Sequence, residues 1–262
     1  MKIAILQHDI VWASPTENMT RLSQLLDNSP EADLYVLPEM FATGFIMEPE
    51  GVAEPDGGAS FVWMQQQAQQ RNAALAGSLC VKSGHHHYNR FYFVYPTGKV
   101  VYYDKRHLFA YGGEQRNYTT GKQRVVAEYK GVRFLLQVCY DLRFPVWSRN
   151  ALDNNEVLYD VALYVASWPA SRQFVWEQLL RARALENQCY VAGVNRIGND
   201  SACQYQGGSV ILDAYGRTLA SCADGEEQWA VADIDMDKLK AFRSKFPVLA
   251  DADHFEIRAL DN

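Results

Sequence analysis

The chain has 262 residues, of which 48% are hydrophobic and 21% charged, and these are the proportions of an ordinary globular protein. A formal net charge of −6 argues against nucleic acid or an anionic membrane as the main partner. No apolar run approaches the roughly 20 residues that span a bilayer, and residues 1–7 are too short an apolar stretch for a secretory signal.

The five cysteines are an odd number and include no C-x-x-C pair. Scattered thiols of this kind are typical of reduced cysteines in a cytoplasmic protein rather than of a disulfide framework. We therefore predict a cytoplasmic location.

Strands and helices alternate along the chain. A first strand at residues 2–7 precedes a helix that Ser14 and Pro15 begin, with leucines at helical spacing behind them. Residues 107–122 have no periodicity and are predicted to form a long surface loop, a kind of segment that is often functional. Further helices are predicted at residues 59–71, 146–152, 171–188 and 236–244. Further strands are predicted at residues 34–37, 73–81, 89–95, 100–103, 132–138, 161–166, 190–194, 209–212, 218–220 and 229–234.

Two of these helices have apolar residues from which an inward face can be predicted. For residues 59–71 the predicted buried side chains are Phe61, Val62, Met64 and Ala68. For residues 171–188 they are Phe174, Leu179, Ala182 and Leu185. The alternation continues without a linker, so we predict a single domain over residues 1–262. Alternating elements with several hairpins indicate one mixed sheet, or two sheets, covered by helices.

Cys139 lies at a sharp junction between an apolar strand and a helical turn. A helix that begins there directs N–H groups toward the sulfur, which can lower a thiol pKa, and the N–H of Tyr140 could bind an oxyanion. The alternative is an inert, buried thiol at the end of a core strand.

Other chemically useful residues also follow predicted strands. Glu39 follows one strand, Lys105 follows a hairpin strand, and Ser167-Trp168 follows another. Because sites form at the carboxyl ends of strands in open α/β sheets, a carboxylate, an ammonium and a thiol are expected to converge on one rim. Taken alone, Glu39 could be a surface carboxylate or a helix cap, and Lys105 a solvated turn lysine.

Residues 37–41 read LPEMF, residues 103–109 read YDKRHLF and residues 138–145 read VCYDLRFP. These three segments resemble the signatures of the nitrilase (carbon–nitrogen hydrolase) superfamily, in the family's order, and the resemblance extends over essentially the whole chain. The resemblance implies Glu39 as base, Lys105 as oxyanion stabiliser and Cys139 as nucleophile. It also implies a second glutamate, which Glu114 resembles, to orient the lysine or the substrate.

The same resemblance implies a four-layer αββα sandwich of two mixed sheets covered by helices, paired as a homodimer. Within the superfamily, the residues after Cys139 resemble the amidase branches rather than true nitrilases. Residues 38–45 and 167–169 look most like those of the bacterial omega-amidases, which hydrolyse the terminal amide of 2-oxoglutaramate and 2-oxosuccinamate.

Such a substrate needs a cation or several N–H donors for its distal carboxylate. Arg172 is the first candidate, with Arg116 and Arg196 as reserves. Phe41 and Trp168 are the candidate walls of the substrate pocket.

No metal or other cofactor is predicted. His85, His86 and His87 are consecutive, so they cannot all face one ion from a strand or turn, and a solvated hairpin tip is the better interpretation. Asp141 and Arg143 are expected to brace the nucleophile turn by hydrogen bonds rather than touch substrate.

The leading hypothesis is therefore a cofactor-independent thiol amidase that acts on a small-molecule amide. Another linear amide or an N-carbamoyl group is an alternative within the superfamily. A non-catalytic partner-binding protein would have no chemical need for the three residues together, and a redox-sensing thiol would need a resolving cysteine such as Cys80 or Cys189 nearby.

Overall fold

The computed structural model describes residues 1–154, 156–253 and 255–257. Within them, no helix is both long enough and apolar enough to cross a membrane. The strands are β1 (Lys2–Gln7), β2 (Leu34–Val36), β3 (Glu54–Pro55), β4 (Ala74–Ser83), β5 (His86–Val94), β6 (Val100–Asp104), β7 (Val126–Tyr129), β8 (Val132–Val138), β9 (Leu152–Asp153), β10 (Glu156–Val157), β11 (Val161–Ala166), β12 (Tyr190–Asn195), β13 (Ile197–Asn199), β14 (Gln204–Gln206), β15 (Val210–Leu212), β16 (Thr218–Ser221) and β17 (Gln228–Asp233).

The helices of the described chain begin close to the predicted positions. They are α1 (Pro15–Asp27), α2 (Ala59–Arg71), α3 (Pro145–Ser148), α4 (Gln173–Asn187) and α5 (Met236–Lys245). Short 3-10 helices cover Ala110–Gly112, Glu114–Arg116, Cys139–Arg143, Ala170–Arg172 and Val248–Asp251.

Two large mixed sheets form the centre of the fold. The first has the order β17-β1-β2-β4-β5-β6, with β3 beside β4, and the second has the order β16-β15-β12-β11-β8-β7. In the first sheet β1, β2 and β4 are parallel, and in the second β8, β11 and β12 are parallel. Antiparallel strands flank both parallel centres.

The layers pack in the order helix, sheet, sheet, helix. Between the sheets, the rings of Phe93 and Phe134 lie 5.5 Å apart in one continuous apolar cluster. Leu22 of α1 and Met64 of α2 are buried in the cluster on the outer face of the first sheet, and Trp176 of α4 is buried in that of the second. The predicted four-layer α/β sandwich is thus confirmed. Each fully buried side chain of this size contributes about 1.5–3 kcal/mol.

The predicted inward faces of α2 and α4 are partly wrong. Val62 is 41% exposed, Phe174 73% and Leu185 53%, whereas Trp63 and Trp176 are buried. Both helices carry apolar residues on more than one side, so the sheet beneath, rather than sequence spacing, decides which side is covered.

Strand direction brings the chemically useful residues to one edge. Because β5 is antiparallel to β4 and β6 is antiparallel to β5, β6 runs in the same direction as β2. Glu39 and Lys105 therefore follow strands that end at the same edge of the first sheet. Cys139 and Ser167 follow the parallel strands β8 and β11 of the second.

Candidate active site

Glu39 is completely buried where the two sheets meet. Its Oε1 accepts hydrogen bonds from Lys105 Nζ at 3.0 Å and from Asn89 Nδ2 at 2.6 Å. Its Oε2 accepts one from the backbone N–H of Ser167 at 2.8 Å. The carboxylate is therefore fixed by donors from both sheets.

Lys105 joins two buried carboxylates. Besides Glu39, its Nζ donates to both oxygens of Glu114, at 3.1 and 2.9 Å. Glu114 Oε2 also accepts from the N–H of Phe109 at 2.5 Å. Burial lowers the pKa of Lys105, but Glu114 and Glu39 raise it more, and the net pKa lies above the usual range. Burial raises the pKa of Glu114, against the opposing effect of Lys105. The lysine is thus a permanent cation at the centre of the site.

Cys139 begins a tight turn in a strained conformation. Its φ of 45° is left-handed, a region that costs a non-glycine residue on the order of 1–3 kcal/mol. Asp141 holds this turn, because its buried carboxylate accepts from the N–H of Val138 at 3.0 Å. The same carboxylate accepts from Tyr103 Oη at 2.8 Å and from the N–H of His107 at 3.0 Å. Asp141 therefore ties the nucleophile turn to the segment that carries Lys105.

The expectation of a lowered thiol pKa is wrong. Burial raises the pKa of Cys139 well above its usual range, and Glu39 raises it further, while Lys105 opposes the shift. The turn after Cys139 is a short 3-10 helix (Cys139–Arg143), which offers no long helix dipole to offset burial. The resting thiol is therefore neutral and needs a base to become a nucleophile.

We expect the alkylation of Cys139 by iodoacetamide to accelerate steadily from about pH 7 to about pH 10, because the thiolate is the reactive form. Mass spectrometry of the peptide that contains Cys139 measures the rate, with a Cys139→Ala protein as the blank. Cys80 and Cys189 are buried and do not line the cavity, so these thiols should react more slowly at every pH. A rate that is already maximal near pH 7 would contradict a neutral resting thiol.

A cavity of about 440 Å³ opens onto Cys139. Its walls include Trp168, and both Tyr140 and Arg172 line it, as does Arg143. Arg143 therefore does not brace the nucleophile turn as expected: it is exposed, and its guanidinium lies 5.0 Å from the ring centre of Trp168.

Phe41, predicted to be a pocket wall, is instead a core residue. It is fully buried, packs 5.8 Å from the ring of Trp63 in α2, and fits against Gly77 of β4, where a Cβ would lie 2.9 Å from its ring. The chain turns at Met40, whose φ is 47°, so that Phe45 lines the cavity and lies 5.0 Å from Lys105 Nζ.

The two reserve arginines do not serve the cavity. Arg116 is exposed and is absent from the lining. Arg196 is buried, with Nη2 donating to Asp9 at 2.9 Å and to the carbonyl of Ile10 at 3.1 Å. Neither is placed to receive a substrate carboxylate.

Two partners of Glu39, Asn89 and the N–H of Ser167, are not predicted from the sequence. The sequence signal for Asn89 is its position: a polar residue begins a largely aromatic strand, and the next strand ends at Lys105. The Ser167 N–H could have been inferred only from the way the two sheets meet.

His85 and His86 are exposed at the β4–β5 turn, and His87 lies 3.4 Å from Glu50. In the part of the chain that the structure describes, no three His, Cys, Asp or Glu side chains are grouped so as to hold a metal ion. The absence of a cofactor stays a prediction.

Comparison with known proteins gives a consistent result. A family model described as carbon–nitrogen hydrolase matches residues 2–244. An omega-amidase (YafV) of Yersinia enterocolitica is 44% identical, covering 97% of this chain and 98% of its own. A 2-oxoglutaramate amidase of Bacillus subtilis is 34% identical, covering 95% and 96%. The crystal structure of XC1258 from Xanthomonas campestris, a CN-hydrolase superfamily protein, has a TM-score of 0.96 at 38% identity and covers 98% and 99%.

Proposed function

Since this chain belongs to the carbon–nitrogen hydrolase family and acts on amides, we propose that it hydrolyses the terminal amide of 2-oxo dicarboxylate monoamides such as 2-oxoglutaramate and 2-oxosuccinamate. The products are the dicarboxylic acid and ammonia. The observation that carries the proposal is a cavity with a thiol and two arginines in its lining, together with a buried carboxylate–ammonium pair that acts on this thiol.

The proposed reaction begins with transfer of the Cys139 proton to Glu39. The thiolate attacks the amide carbon, and the oxyanion that forms is stabilised by Lys105 and by the N–H of Tyr140. Glu39 then gives its proton to the leaving nitrogen, and ammonia departs from a thioester. Glu39 next takes a proton from water, and the hydroxide attacks the thioester. The C–S bond breaks to release the acid, and Glu39 returns its proton to the sulfur.

Arg143 and Arg172 support a carboxylate at the far end of the substrate. Neither guanidinium has a carboxylate within 4.0 Å among residues 1–154, 156–253 and 255–257, although both line the cavity. Arg172 lies 5.4 Å from the ring centre of Phe109, and Arg143 lies over Trp168. A substrate carboxylate left unpaired in this wall would cost several kcal/mol, whereas a guanidinium fork can bind it with two hydrogen bonds.

The acidic side chain of Asp200 also lines the cavity but is already engaged. Its Oδ1 accepts from the N–H groups of Ala202 and Cys203, and its Oδ2 accepts from Tyr205 Oη at 2.6 Å. Glu48, the other acidic residue of the lining, forms no ion pair with either arginine among the described residues, so both guanidinium groups are available to an anionic substrate.

We expect kcat/KM for 2-oxoglutaramate to exceed that for simple aliphatic amides, and we expect Arg172→Gln to remove most of this preference. Truncating one partner of a buried charge pair costs about 2–5 kcal/mol, which is at least tenfold in kcat/KM. Steady-state ammonia release is measured for both substrate types. The neutral amide should be hydrolysed at nearly the same rate by the variant.

Arg116→Gln is the matched control, because Arg116 is an exposed arginine outside the cavity. Arg143→Gln tests the second guanidinium in the same way. If wild-type protein shows no preference for 2-oxoglutaramate over aliphatic amides, the omega-amidase proposal fails and another linear amide becomes the better candidate.

The homodimer and the cytoplasmic location stay predictions. The outward-facing apolar side chains Phe174 and Leu185 of α4 are in keeping with a second copy that packs against helices.

A further inference from the structure

We propose that Asn89 is a positioning residue that selects Oε2 of Glu39 as the atom that exchanges protons with Cys139. The inference rests on the proposed function, in which Glu39 is the base. Asn89 lies in β5, is completely buried, and donates from Nδ2 to Glu39 Oε1 at 2.6 Å.

The two oxygens of Glu39 differ in the number of hydrogen-bond donors that they receive. A carboxylate has about four acceptor positions, two on each oxygen. Oε1 receives two donors, Lys105 and Asn89, so both of its positions are filled. Oε2 receives one donor, the N–H of Ser167, and keeps one position. The remaining acceptor position for a thiol or water proton is therefore on Oε2.

Lys105 alone could not make this selection. It also binds both oxygens of Glu114, so its ammonium is shared among three carboxylate oxygens. Without Asn89, one position on Oε1 would open, and the carboxylate could rotate or accept water there. Asn89 therefore removes the competing proton acceptor.

The backbone of Asn89 contributes a second constraint. Its carbonyl accepts from the N–H of Lys105 at 3.0 Å, in continuation of the β5–β6 pairing of Arg90 with Asp104. One residue thus fixes the carboxylate through its side chain and the lysine through its main chain. A displacement of about 1 Å at such a site can lower the rate ~100-fold.

The orientation of the amide follows from its surroundings. An amide oxygen facing a carboxylate would be repelled, so the NH₂ group must face Glu39. Asn89 Oδ1 then points elsewhere and is buried without a partner among the described residues. Leaving a polar atom unsatisfied costs about 1–3 kcal/mol, so a residue chosen for stability alone would not be expected here.

Asn89→Leu and Asn89→Asp separate a positioning role from a structural one. The leucine variant has no donor, so we expect kcat for ammonia release to fall ~10- to 100-fold with little change in KM. The titratable groups that face Glu39 are Lys105, Glu114, Cys139 and Tyr118.

The aspartate variant keeps the shape of the side chain and gives the sharper result. When protonated, the new carboxyl can donate to Glu39 as the amide does; when ionised, it repels Glu39. We therefore expect near-normal activity at low pH and an additional loss as pH rises, through an ionisation that wild-type protein lacks. Asn150→Asp is the matched control, since Asn150 is a buried asparagine that bonds to Tyr159 and Asn187 rather than to the site. Asn150→Asp should lower thermal stability without adding an ionisation to the pH profile of activity.

A kcat within twofold of wild type in both Asn89 variants would overturn the inference. So would a loss of activity that follows the melting temperature and leaves the pH profile unchanged. If Asn89→Leu does not fold, the pH profile of Asn89→Asp decides alone. These results are distinct from failure of the proposed function, which would appear as a wild-type protein without preference for 2-oxoglutaramate, or as ammonia release by a Cys139→Ala or Glu39→Gln protein.

Discussion

Replacing Cys139 with alanine is expected to abolish ammonia release and to leave the fold intact. The thiol is the proposed covalent nucleophile, and the thioester of the proposed reaction forms on its sulfur. Loss of such a nucleophile should lower kcat by at least ~10⁴-fold. Alanine adopts the left-handed conformation at φ 45° about as well as cysteine does, so the turn held by Asp141 is kept. The change in the free energy of unfolding should be about 1 kcal/mol.

Ammonia release from 2-oxoglutaramate, together with a thermal melt, measures both expectations. Cys203→Ala is the matched control, because Cys203 also lines the cavity but has no proposed role in the reaction. It should retain the activity of the wild-type protein. More than a few per cent activity in the Cys139 variant would refute the nucleophile assignment.

The sequence predicts much of the fold because its local signals are strong. The apolar strands and the helix that begins at Pro15 are local features, and α2 begins and ends at the predicted residues. The buried faces of the helices were harder to predict, because Val62 and Phe174 fit an apolar stripe as well as their buried neighbours do. Only the sheet beneath distinguishes them.

In the candidate site, too, some features can be predicted from the sequence and others depend on the folded structure. Strand ends and family resemblance bring Glu39, Lys105 and Cys139 to one edge without any knowledge of contacts. Phe45 lines the pocket in place of the predicted Phe41 because of the left-handed turn at Met40, which sequence spacing does not reveal. The role of Asn89 depends on hydrogen bonds between elements distant in the chain, and these exist only in the folded protein.

Glu39→Gln and Lys105→Ala should each disable catalysis. The fold loss of kcat in the double variant should be far smaller than the product of the two single losses. A general base contributes about 10²–10⁴-fold and an oxyanion donor about 10²–10³-fold. Each is useful only while the other is present, because attack requires both the thiolate and a stabilised oxyanion. We therefore expect kcat of the double variant to lie within about tenfold of that of the less active single variant.

Stability should show a coupling between the same two positions. Lys105→Ala leaves the buried carboxylates of Glu39 and Glu114 facing each other without their shared cation, which should cost about 3–5 kcal/mol. Adding Glu39→Gln removes one of these charges, so the double variant should melt at a higher temperature than Lys105→Ala alone. Denaturant unfolding of the four proteins in the cycle gives the coupling energy. Lys130→Ala is the control, since it breaks an exposed ion pair with Asp33 and should change stability by less than about 1 kcal/mol.

If Lys105→Ala raises KM while kcat is unchanged, the lysine binds substrate, and its assignment as oxyanion stabiliser is wrong.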